Sequence, residues 1–567
     1  MKNSTCQILL AIFILLMGST TSAQFTYEWS RQVGGTNVDH GLGIAIDNEG
    51  SVIYGGEFRI TVDFDPSESG EDLIEAVPLA NGFVSKLYAD GSYAWTRSIE
   101  GDCRVIDVVA DANGNVFACG WFGQSINFIP SEKSWQLTTN GQYDGFLAKY
   151  LSDGTFQWAF SIGGIYQDHA NSIGVDANGN VFICGEFTDT VDFDPGANMA
   201  ELNETSGVTT WDAYVAKYNN DGDYLWARSF AGESLQAGVG LAVCSNGDVV
   251  VAGQFSGVTD FDPGIGELIF ANQGNLDWEA YAVKLSADGN LIWGKSFGGT
   301  LHEWVYGMTV DETNNVYIVG GFNSATADFD PGLSYYEMTT STGLTDPYIV
   351  KLNADGGFQW SRQFSGPATG NCYAIAARNG KVFSTGSIAG NTDFDPGEGE
   401  MLEVIGGTSS FLYFSALTDQ GEYLWHDWMG GATENIGYAI VADDQYFYST
   451  GDFRGTSVWF GPSTFFNSMG HSDVYVTKVE YSTGIPVEQL NKTGFNLFPN
   501  PARDQLSITG IHVMADVTIS DLTGKRLHNQ KVNEKECINI SHLAAGVYVL
   551  TIRTDGVFET RKVVVER

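Results

Sequence analysis

The sequence has few basic residues. Its 567 residues include 28 Lys and Arg against 69 Asp and Glu, which gives a formal net charge of −41. Proteins that bind nucleic acids neutralise phosphates with basic side chains, so this composition excludes a nucleic-acid partner bound in that way. It also disfavours docking on an anionic membrane surface. A charge of this sign permits cation binding and favours solubility.

Long apolar runs are also scarce. The longest is the ten-residue stretch 8–17, which follows the basic Lys2 and is followed by the small residues 21–23. A short apolar core between a positive start and a small-residue site is typical of a secretory signal peptide, and it is too short to cross a bilayer. We therefore predict that residues 1–23 are a signal peptide and that the mature chain has no transmembrane span.

Motifs of common enzymes and metal sites are missing. The segment 302–306 lacks the second histidine of a zinc-protease helix, and 232–236 does not match the nucleophile elbow of hydrolases. The six cysteines that follow the predicted signal peptide show no paired spacing typical of zinc, so we interpret them as small buried residues. We therefore predict no catalytic residue.

What the sequence does have is a repeat. Seven tryptophans recur at intervals of 63 to 68 residues, at positions 29, 95, 158, 226, 293, 360 and 425. Each begins a unit with about four short alternating segments, separated by turns such as Asn178-Gly179. Asn-Gly between two alternating runs is a strong hairpin signal. The units therefore predict antiparallel strands and no helix.

Four strands per unit, repeated seven times, predict an all-β, seven-bladed β-propeller over residues 24–480. A linear β-solenoid is the alternative, but it would need shorter repeats. The chain begins with the Trp-bearing strand and ends the seventh unit with the strand that precedes it elsewhere. We therefore predict that 27–33 pairs with 473–478 in one blade and closes the ring.

These units resemble the SBBP-type propeller repeats of secreted bacterial proteins, which are related in pattern to NHL repeats. The residues that carry the resemblance are the strand ending in Gly174-Val175-Asp176, the Asn-Gly turn and an Asp-Phe-Asp-Pro signature. The resemblance implies a propeller and says little about function.

The Asp-Phe-Asp-Pro signature allows two interpretations. Phe and Pro persist in all seven units, whereas the acids are replaced in units two and seven by Asn127 and Ile129 and by Trp459 and Gly461. This favours a turn in which the acids satisfy loop N–H groups. The alternative is Ca²⁺ bound by the paired carboxylates. The candidate ligands are Asp63 and Asp65, Asp192 and Asp194, Asp260 and Asp262, Asp328 and Asp330, and Asp393 and Asp395.

A candidate binding face follows from the analogy with NHL-type propellers, which places the Trp strand outermost and the next strand innermost. The residues that connect these strands would lie on one face, together with the Asp-Phe-Asp-Pro loops. Asp-His pairs recur there in units one and three, and an aromatic and an amide residue take the same register in units five and six. The candidate residues are Asp39, His40, Asp168, His169, Trp304 and Asn371.

The tail differs from the rest of the chain. Residues 490–567 carry 10 Lys and Arg and 8 Asp and Glu, so the acidity belongs to the repeats. We predict a linker at 481–494 and a small β-sandwich at 495–567. Several segments resemble the C-terminal sorting domain of type IX secretion substrates. The residues that carry this resemblance are Pro499, Asn500, Pro501, Gly524, Lys525, Gly546, Tyr548 and Lys562.

The resemblance implies export to the periplasm, passage through the outer membrane by the type IX machinery, and release or attachment at the cell surface. With no catalytic motif in the repeats, we predict a secreted or surface binding module for a glycan or a protein. A polysaccharide lyase or hydrolase and a structural adhesin are the alternatives, because the fold alone does not decide function.

Overall fold

The computed structural model describes most of residues 25–481 and much of the tail. Within the first region it leaves out 68–69, 77–79, 131–134, 205–209, 273–276, 333, 341–342, 367–368, 398, 400, 405–408, 431–433 and 462–463. In the tail it describes 496–498, 502–509, 515–520, 526–533, 537–544, 546–554 and 557–565. The predicted signal peptide and residues 482–494 of the predicted linker lie outside the described residues.

Residues 25–481 form seven antiparallel four-stranded blades, so the predicted propeller is confirmed. The innermost strands of blades one to seven are His40–Ile46, Cys103–Ala110, His169–Val175, Gln236–Val243, Glu303–Val310, Gly370–Arg378 and Ile436–Ala442. The second strands are Val52–Phe58, Val116–Asn127, Val181–Phe187, Val249–Phe255, Val316–Phe322, Lys381–Ile388 and Tyr446–Phe453. The third strands are Asn81–Leu87, Gln136–Tyr150, Asp212–Tyr218, Glu279–Leu285, Asp346–Leu352, Phe411–Thr418 and Asp473–Tyr481. The outer strands are Tyr93–Ile99, Phe156–Ile162, Tyr224–Gly232, Leu291–Gly299, Phe358–Gln363, Tyr423–Met429 and, for blade seven, Phe25–Gly35.

The ring closes in blade seven as predicted. The outer strand Phe25–Gly35 pairs antiparallel with the third strand Asp473–Tyr481 over eight residue pairs, from Phe25↔Tyr481 to Val33↔Val474. A buried hydrogen bond of 2.7 Å between the hydroxyls of Ser30 and Thr477 joins the two ends of the ring. Closure therefore depends on strand pairing between residues more than 400 positions apart.

The recurring tryptophan connects neighbouring blades. In blade three the indole N–H of Trp226 donates to the carbonyl of Ala287, in a turn of blade four, at 3.0 Å. Gly289 in the same turn has a φ of +78°, and a Cβ there would lie 3.1 Å from the indole of Trp226. The same indole donation occurs in blades one, four, five and seven, from Trp95, Trp293, Trp360 and Trp29. The repeat therefore conserves a junction between blades.

A second hairpin lies between the second and third strands of most blades and carries the Asp-Phe-Asp-Pro signature. These hairpins are Thr61–Asp63 with Leu73–Glu75, Thr190–Asp192 with Glu201–Asn203, Val258–Asp260 with Ile269–Ala271, Ala327–Asp328 with Glu337–Met338, Asn391–Asp393 with Leu402–Val404, and Val458–Trp459 with Phe465–Phe466. Several pair with the outer strand of the preceding blade, as Asp260 does with Ala231. The Phe of the signature is buried, and Phe261 packs on Tyr281 with ring centroids 4.5 Å apart.

The chain divides into two compact units, 1–483 and 484–567. The described tail strands form a three-stranded and a four-stranded sheet. The first contains Asn496–Phe498, Gln505–Thr509 and Cys537–Asn539, and the second contains Ala515–Ser520, Arg526–Val532, Gly546–Thr554 and Val557–Val565. The tail has its own core, which includes Leu506, Val517, Ile538 and Leu550. The limits predicted for the propeller, linker and tail stay predictions.

Candidate functional site: the central channel and its mouth

Every innermost strand contains a β-bulge at the same level. In blade one the pairing register shifts between Gly41 and Gly43, so Leu42 has no direct partner in the second strand. A bulge redirects the extra side chain, and bulges are common next to functional sites. Here all seven bulge residues line a central channel of about 420 Å³. They are Leu42, Ile106, Asn171, Val239, Tyr306, Tyr373 and Tyr438.

Three of these residues form an aromatic arc, which we call the tyrosine arc: Tyr306, Tyr373 and Tyr438. Neighbouring ring centroids lie 5.0 Å and 5.7 Å apart, and both pairs are inclined at 50°. Adjacent blades of a seven-bladed ring are related by one seventh of a full rotation. The angle between the rings is close to that rotation, so the three tyrosines occupy equivalent positions in their blades. Burial raises the pKa of each phenol, which keeps the arc uncharged in neutral solution.

Two residues before each bulge, the innermost strands supply a second ring of side chains. We call His40, Arg104, His169, Trp304 and Asn371 the channel mouth, together with the second-strand residues that they contact. Direct contacts connect the two levels. The ring of His40 lies edge-on to Tyr438 at 6.3 Å, and the amide of Asn371 donates to the hydroxyl of Tyr373 at 3.3 Å.

Ion pairs run across blades seven, one and two at the mouth. His40 Nδ1 lies 3.2 Å from Asp452 of blade seven, and its Nε2 lies 3.9 Å from Glu57. Arg104 of blade two donates to Glu57 at 2.8 Å. Burial alone would lower the pKa of His40, but the hydrogen bond and charge of Asp452, with the charge of Glu57, raise it above its ordinary value. The mouth therefore contains a histidine that gains a proton more readily than usual.

The charged side of the mouth continues into blade three. The guanidinium of Arg104 lies 5.0 Å above the ring of Trp121, which in turn lies 5.5 Å from the ring of His169. His169 Nδ1 lies 2.7 Å from Glu186, and Asn171 donates to the other oxygen of the same carboxylate at 2.6 Å. The mouth thus has a charged side in blades seven to three and an aromatic side in blades five to seven.

The structure brings together four of the six residues predicted for the binding face. His40, His169, Trp304 and Asn371 take the same register around the mouth. Asp39 and Asp168 are buried instead. Whether the face binds a ligand stays a prediction.

The two buried aspartates form hydrogen bonds that join the segments connecting neighbouring blades. Asp39 accepts the backbone N–H groups of Gly35 and Arg59 at 2.8 Å and 3.1 Å. Asp168 accepts those of Gly164 and Thr188 at 2.7 Å and 2.8 Å. Burial raises the pKa of both carboxyl groups to about 7, although the backbone N–H groups oppose this shift. Their geometry is that of structural acceptors.

The paired aspartates of the Asp-Phe-Asp-Pro loops also accept backbone N–H groups. Asp260 accepts those of Asp262 and Leu268 through one oxygen, at 3.0 Å and 2.8 Å, and Asp262 accepts that of Gly264 at 2.8 Å. In blade two the amide oxygen of Asn127 makes the first of these bonds, to Ile129, at 3.1 Å. The described residues contain no group of three or more His, Cys, Asp or Glu side chains placed to hold a metal. The Ca²⁺ sites stay predictions.

Sequence reasoning missed the acids and the tyrosines of this site. Glu57, Glu186 and Asp452 come from second strands, at the middle position of a Gly-x-Phe pattern that recurs in six of the seven units. That repeated pattern was the available signal for the acids. Arg104 takes the register of His40, but its link from the preceding outer strand is shorter, so a fixed offset from the tryptophan does not find it. All seven innermost strands contain the extra residue, so comparison of the repeats gave no signal for the tyrosine arc.

The described part of the sorting motif belongs to the tail sheets. Gly546 begins a strand, Lys562 pairs with Val549, and the hydroxyl of Tyr548 donates to the carbonyl of Ala544 at 2.9 Å. Pro499, Asn500, Pro501, Gly524 and Lys525 lie outside the described residues. Of the six cysteines expected to be buried, five are buried and free, whereas Cys537 in the tail is exposed. That last expectation was wrong because Cys537 lies in a short strand whose side chains alternate between core and solvent.

Residues 496–566 match the family described as the secretion system C-terminal sorting domain. The sorting domain predicted from the sequence is thereby confirmed. The protein is a propeller sorted by the type IX system, and it is exported to the cell surface or secreted. The SBBP type of the repeats and the signal peptide stay predictions. No helix long and apolar enough to cross a membrane occurs among the described residues.

Two curated relatives match part of this chain. The uncharacterized WD repeat-containing protein L264 of Acanthamoeba polyphaga mimivirus is 21% identical over 497 residues, with coverage of 73% of this chain and 35% of the relative. The regulatory protein FlaEY of Caulobacter vibrioides is 25% identical over 444 residues, with coverage of 74% and 44%. The chain thus spans less than half the length of these relatives.

Two solved structures are also similar. One is PorZ of Porphyromonas gingivalis, a surface component of the type IX secretion system, at 12% identity and a TM-score of 0.25, with coverage of 93% of this chain and 81% of that one. The other is the WD40 domain of Neurospora crassa Pan2, at 8% identity and a TM-score of 0.30, with coverage of 68% and 90%. Scores this low carry no argument about function.

Proposed function

We propose that the propeller is a binding module, delivered by its sorting domain, whose glycan or protein ligand docks at the channel mouth. The observation that carries this proposal is the ring of seven bulges. Each bulge directs one side chain into the channel, and these side chains vary around the ring, from the apolar Leu42 through Asn171 to the tyrosine arc, although the blades themselves are repeats. A channel of about 420 Å³ with convergent polar and aromatic groups falls within the usual range of ligand sites.

The arrangement gives less support to the enzyme alternative. A glycosidase or lyase needs acids that open on the substrate, with pKa values suited to proton transfer. Asp39 and Asp168 have raised pKa values, but both are buried and accept backbone N–H groups. Asp107 lines the channel and burial raises its pKa to about 6, yet it accepts three hydrogen bonds from Val108, Ser172 and Ile173. The bonds from Ser172 and Ile173 hold blades two and three together.

The structural-adhesin alternative differs from a binding module in one testable respect. An adhesin that acts through rigidity and charge would not depend on the residues of the mouth. We therefore propose a glycan and protein array probed with the mature chain, followed by affinity measurements on any ligand found. The variants compared are Trp304→Leu at the mouth and Trp135→Leu just before the third strand of blade two, where the indole is exposed.

Binding at the mouth predicts that Trp304→Leu weakens the interaction at least tenfold, whereas Trp135→Leu leaves it unchanged. Equal loss in both variants would point to the outer surface. Unchanged binding in Trp304→Leu would remove the mouth from consideration. The melting temperature of each variant controls for misfolding. A chain truncated after residue 481 should fail to reach the surface or the medium, which separates delivery from binding.

A further inference from the structure

The charges at the channel mouth point to a particular class of ligand. The acids at this end are Glu57, Glu186, Glu434 and Asp452, and Glu434 acts on Tyr373 and Tyr438 through its charge. Arg104 is the permanent cation of the mouth itself, and Glu57 already neutralises it. Arg59 and Arg454 follow the second strands of blades one and seven at the same end, and Asp102 precedes the innermost strand of blade two as Glu434 precedes that of blade seven. His40 and His169 add positive charge only when protonated. In neutral solution the mouth is therefore acidic, in a protein whose formal net charge is −41.

The tyrosine arc suits a cation as well. An aromatic face carries a negative quadrupole, and a Lys or Arg side chain within about 6 Å of a ring centroid is attracted to it. His40 lies 3.2 Å from the carboxylate of Asp452 and 6.3 Å from the ring of Tyr438, so the carboxylate and the tyrosine arc lie on the same side of the channel. An ammonium group placed there would contact rings and carboxylate together.

Below the tyrosine arc the channel is lined by apolar side chains. Ile44, Met308, Ile375 and Ile440 come from the same innermost strands, farther from the mouth. Lys and Arg bury their methylene stems along such surfaces while the charged end remains with polar partners. The channel therefore offers an apolar lining for the methylene groups of a Lys or Arg side chain and a charged, aromatic region for its cationic end.

A neutral glycan would find fewer partners at this mouth. The amide of Asn171 is already bonded to Glu186 and to the carbonyl of Gly238, at 2.6 Å and 3.0 Å. The amide oxygen of Gln254 accepts the backbone N–H of Val305 at 3.0 Å. One face of the Trp304 ring is covered by His302, whose ring stacks on it at 4.8 Å. Sugar recognition depends on free hydrogen-bonding groups and open aromatic faces, which these contacts reduce.

We infer that the channel mouth binds a protein segment by a basic side chain held between the tyrosine arc and Asp452. This inference rests on the proposed function, because it names the ligand class for the same mouth. Steering by the acidic propeller would speed the encounter, and salt would weaken it.

The test is isothermal titration of the mature full chain with three probes. They are a capped pentapeptide with a central lysine and glycines on either side, its norleucine counterpart of similar shape without charge, and the neutral sugar cellohexaose. We expect saturable one-to-one binding of the lysine peptide, at least tenfold tighter than binding of the norleucine peptide.

Two variants locate the site. Tyr373→Leu and Asp452→Asn should each weaken lysine-peptide binding at least threefold. Tyr335→Leu is the matched control, because Tyr335 is exposed on a lateral hairpin and also contacts a carboxylate, Glu337, at 2.9 Å. It should bind like the unchanged protein. Melting curves of all three show whether they fold, and Asp452→Asn keeps the test valid if Tyr373→Leu does not.

Each other outcome overturns the inference. Equal binding of lysine and norleucine peptides would show that charge does not matter. Absence of binding up to millimolar peptide, or binding unaffected by both mouth variants, would show that the basic side chain does not go there. If cellohexaose binds instead and Tyr373→Leu abolishes that binding, the mouth remains a ligand site but the ligand is a glycan.

Discussion

The junctions between blades and the channel mouth are built from the same repeats and differ in how they vary. At the junctions the same chemistry recurs: an indole N–H donates to a turn carbonyl of the next blade in blades one, three, four, five and seven. At the mouth the equivalent register holds His40, Arg104, His169, Ala237, Trp304, Asn371 and Ile436. Repetition therefore marks what the fold needs, and variation within a fixed register marks what a ligand could select.

Two junctions depart from the rest. In blade two the indole N–H of Trp158 is buried without a hydrogen-bond partner among the described residues, and the second is the junction at the closure of the ring. Blade seven is made from both ends of the ring, so it has no turn between its third and outer strands to accept the indole of Trp425. Phe25 takes that place, and its ring stacks on Trp425 with centroids 4.3 Å apart and planes 9° from parallel. The junction at the closure is thus apolar where five of the other junctions are hydrogen-bonded.

The largest effect should come from breaking this closure. Deleting residues 25–33 removes the outer strand of blade seven and exposes the edge of Asp473–Tyr481. We expect the melting temperature to fall by roughly 10 °C or more, because several kcal/mol of pairing and burial are lost. Differential scanning calorimetry measures this. Should the deletion prevent folding, Phe25→Ala tests the same junction, with an expected loss of about 1–2 kcal/mol. A deletion that melts like the full chain would contradict closure by strand pairing.

The next effect concerns the other junctions. Gly289→Ala places a methyl group against the indole of Trp226 and forces an alanine to φ +78°. Gly247→Ala is the matched control, since its φ is +85° but its Cβ would meet only the Cβ of Ala287, at 3.6 Å. The left-handed conformation alone costs about 1–2 kcal/mol. We expect Gly289→Ala to lose about 1 kcal/mol more than Gly247→Ala in urea unfolding, from the steric contact. Equal losses would show that the indole junction contributes little.

The sequence predicted the repeated junctions between blades better than the variable channel mouth. Blade number, strand order and closure were predictable because Trp226 and its counterparts recur at a regular spacing. The tyrosine arc was not, because a β-bulge at Tyr373 adds one residue without changing any repeated motif. The acids of the mouth were also missed. Asp452 of blade seven matters through its contact with His40 of blade one, and contact between these blades is a property of the closed ring.

The residues predicted for the binding face divide between the mouth and the interior for a physical reason. A repeated Asp-His pair shows that two blades share a register, but it does not show which of the two residues faces the mouth. Asp39 turns inward to accept two backbone N–H groups, whereas His40, the next residue, points to the mouth. Successive residues of a strand face opposite sides, so one member is structural and the other is available.

A smaller effect is expected from pH, and it concerns the buried carboxyl groups at the junctions. Burial raises the pKa of Asp168 and Glu303 to about 7, above the value near 4 of an unfolded carboxyl group. The folded state therefore keeps protons that the unfolded state has lost. Stability from these groups is fully present below about pH 4 and is lost as the pH rises to about 7. His40, with a raised pKa, acts in the same direction.

We expect the free energy of unfolding to fall between pH 5 and pH 8, by on the order of 1 kcal/mol for each such group. Self-repulsion of an acidic protein gives the same trend, so the slope alone does not assign it. Asp168→Asn provides the assignment, because it removes one titrating group at a junction. Its stability should depend less on pH than that of the unchanged chain. The same dependence in both proteins would exclude Asp168 as a contributor.

The smallest effect separates the two interpretations of the Asp-Phe-Asp-Pro loops. If Asp260 serves as an acceptor for the N–H groups of Asp262 and Leu268, Asp260→Asn keeps an oxygen in place, as Asn127 does in blade two. We therefore expect Asp260→Asn to melt like the unchanged protein, and Asp260→Ala to lose about 1 kcal/mol. A Ca²⁺ site predicts a different result, because an amide replaces an anionic ligand poorly. A metal site would show saturable Ca²⁺ binding of at most five ions per chain. Ca²⁺ would also raise the melting temperature, because a ligand that binds only the folded state stabilises it, and Asp260→Asn would reduce that rise. These results together would establish the metal and overturn the turn interpretation. Calorimetric titration and melting curves with and without millimolar Ca²⁺, on the unchanged chain and both variants, distinguish the two.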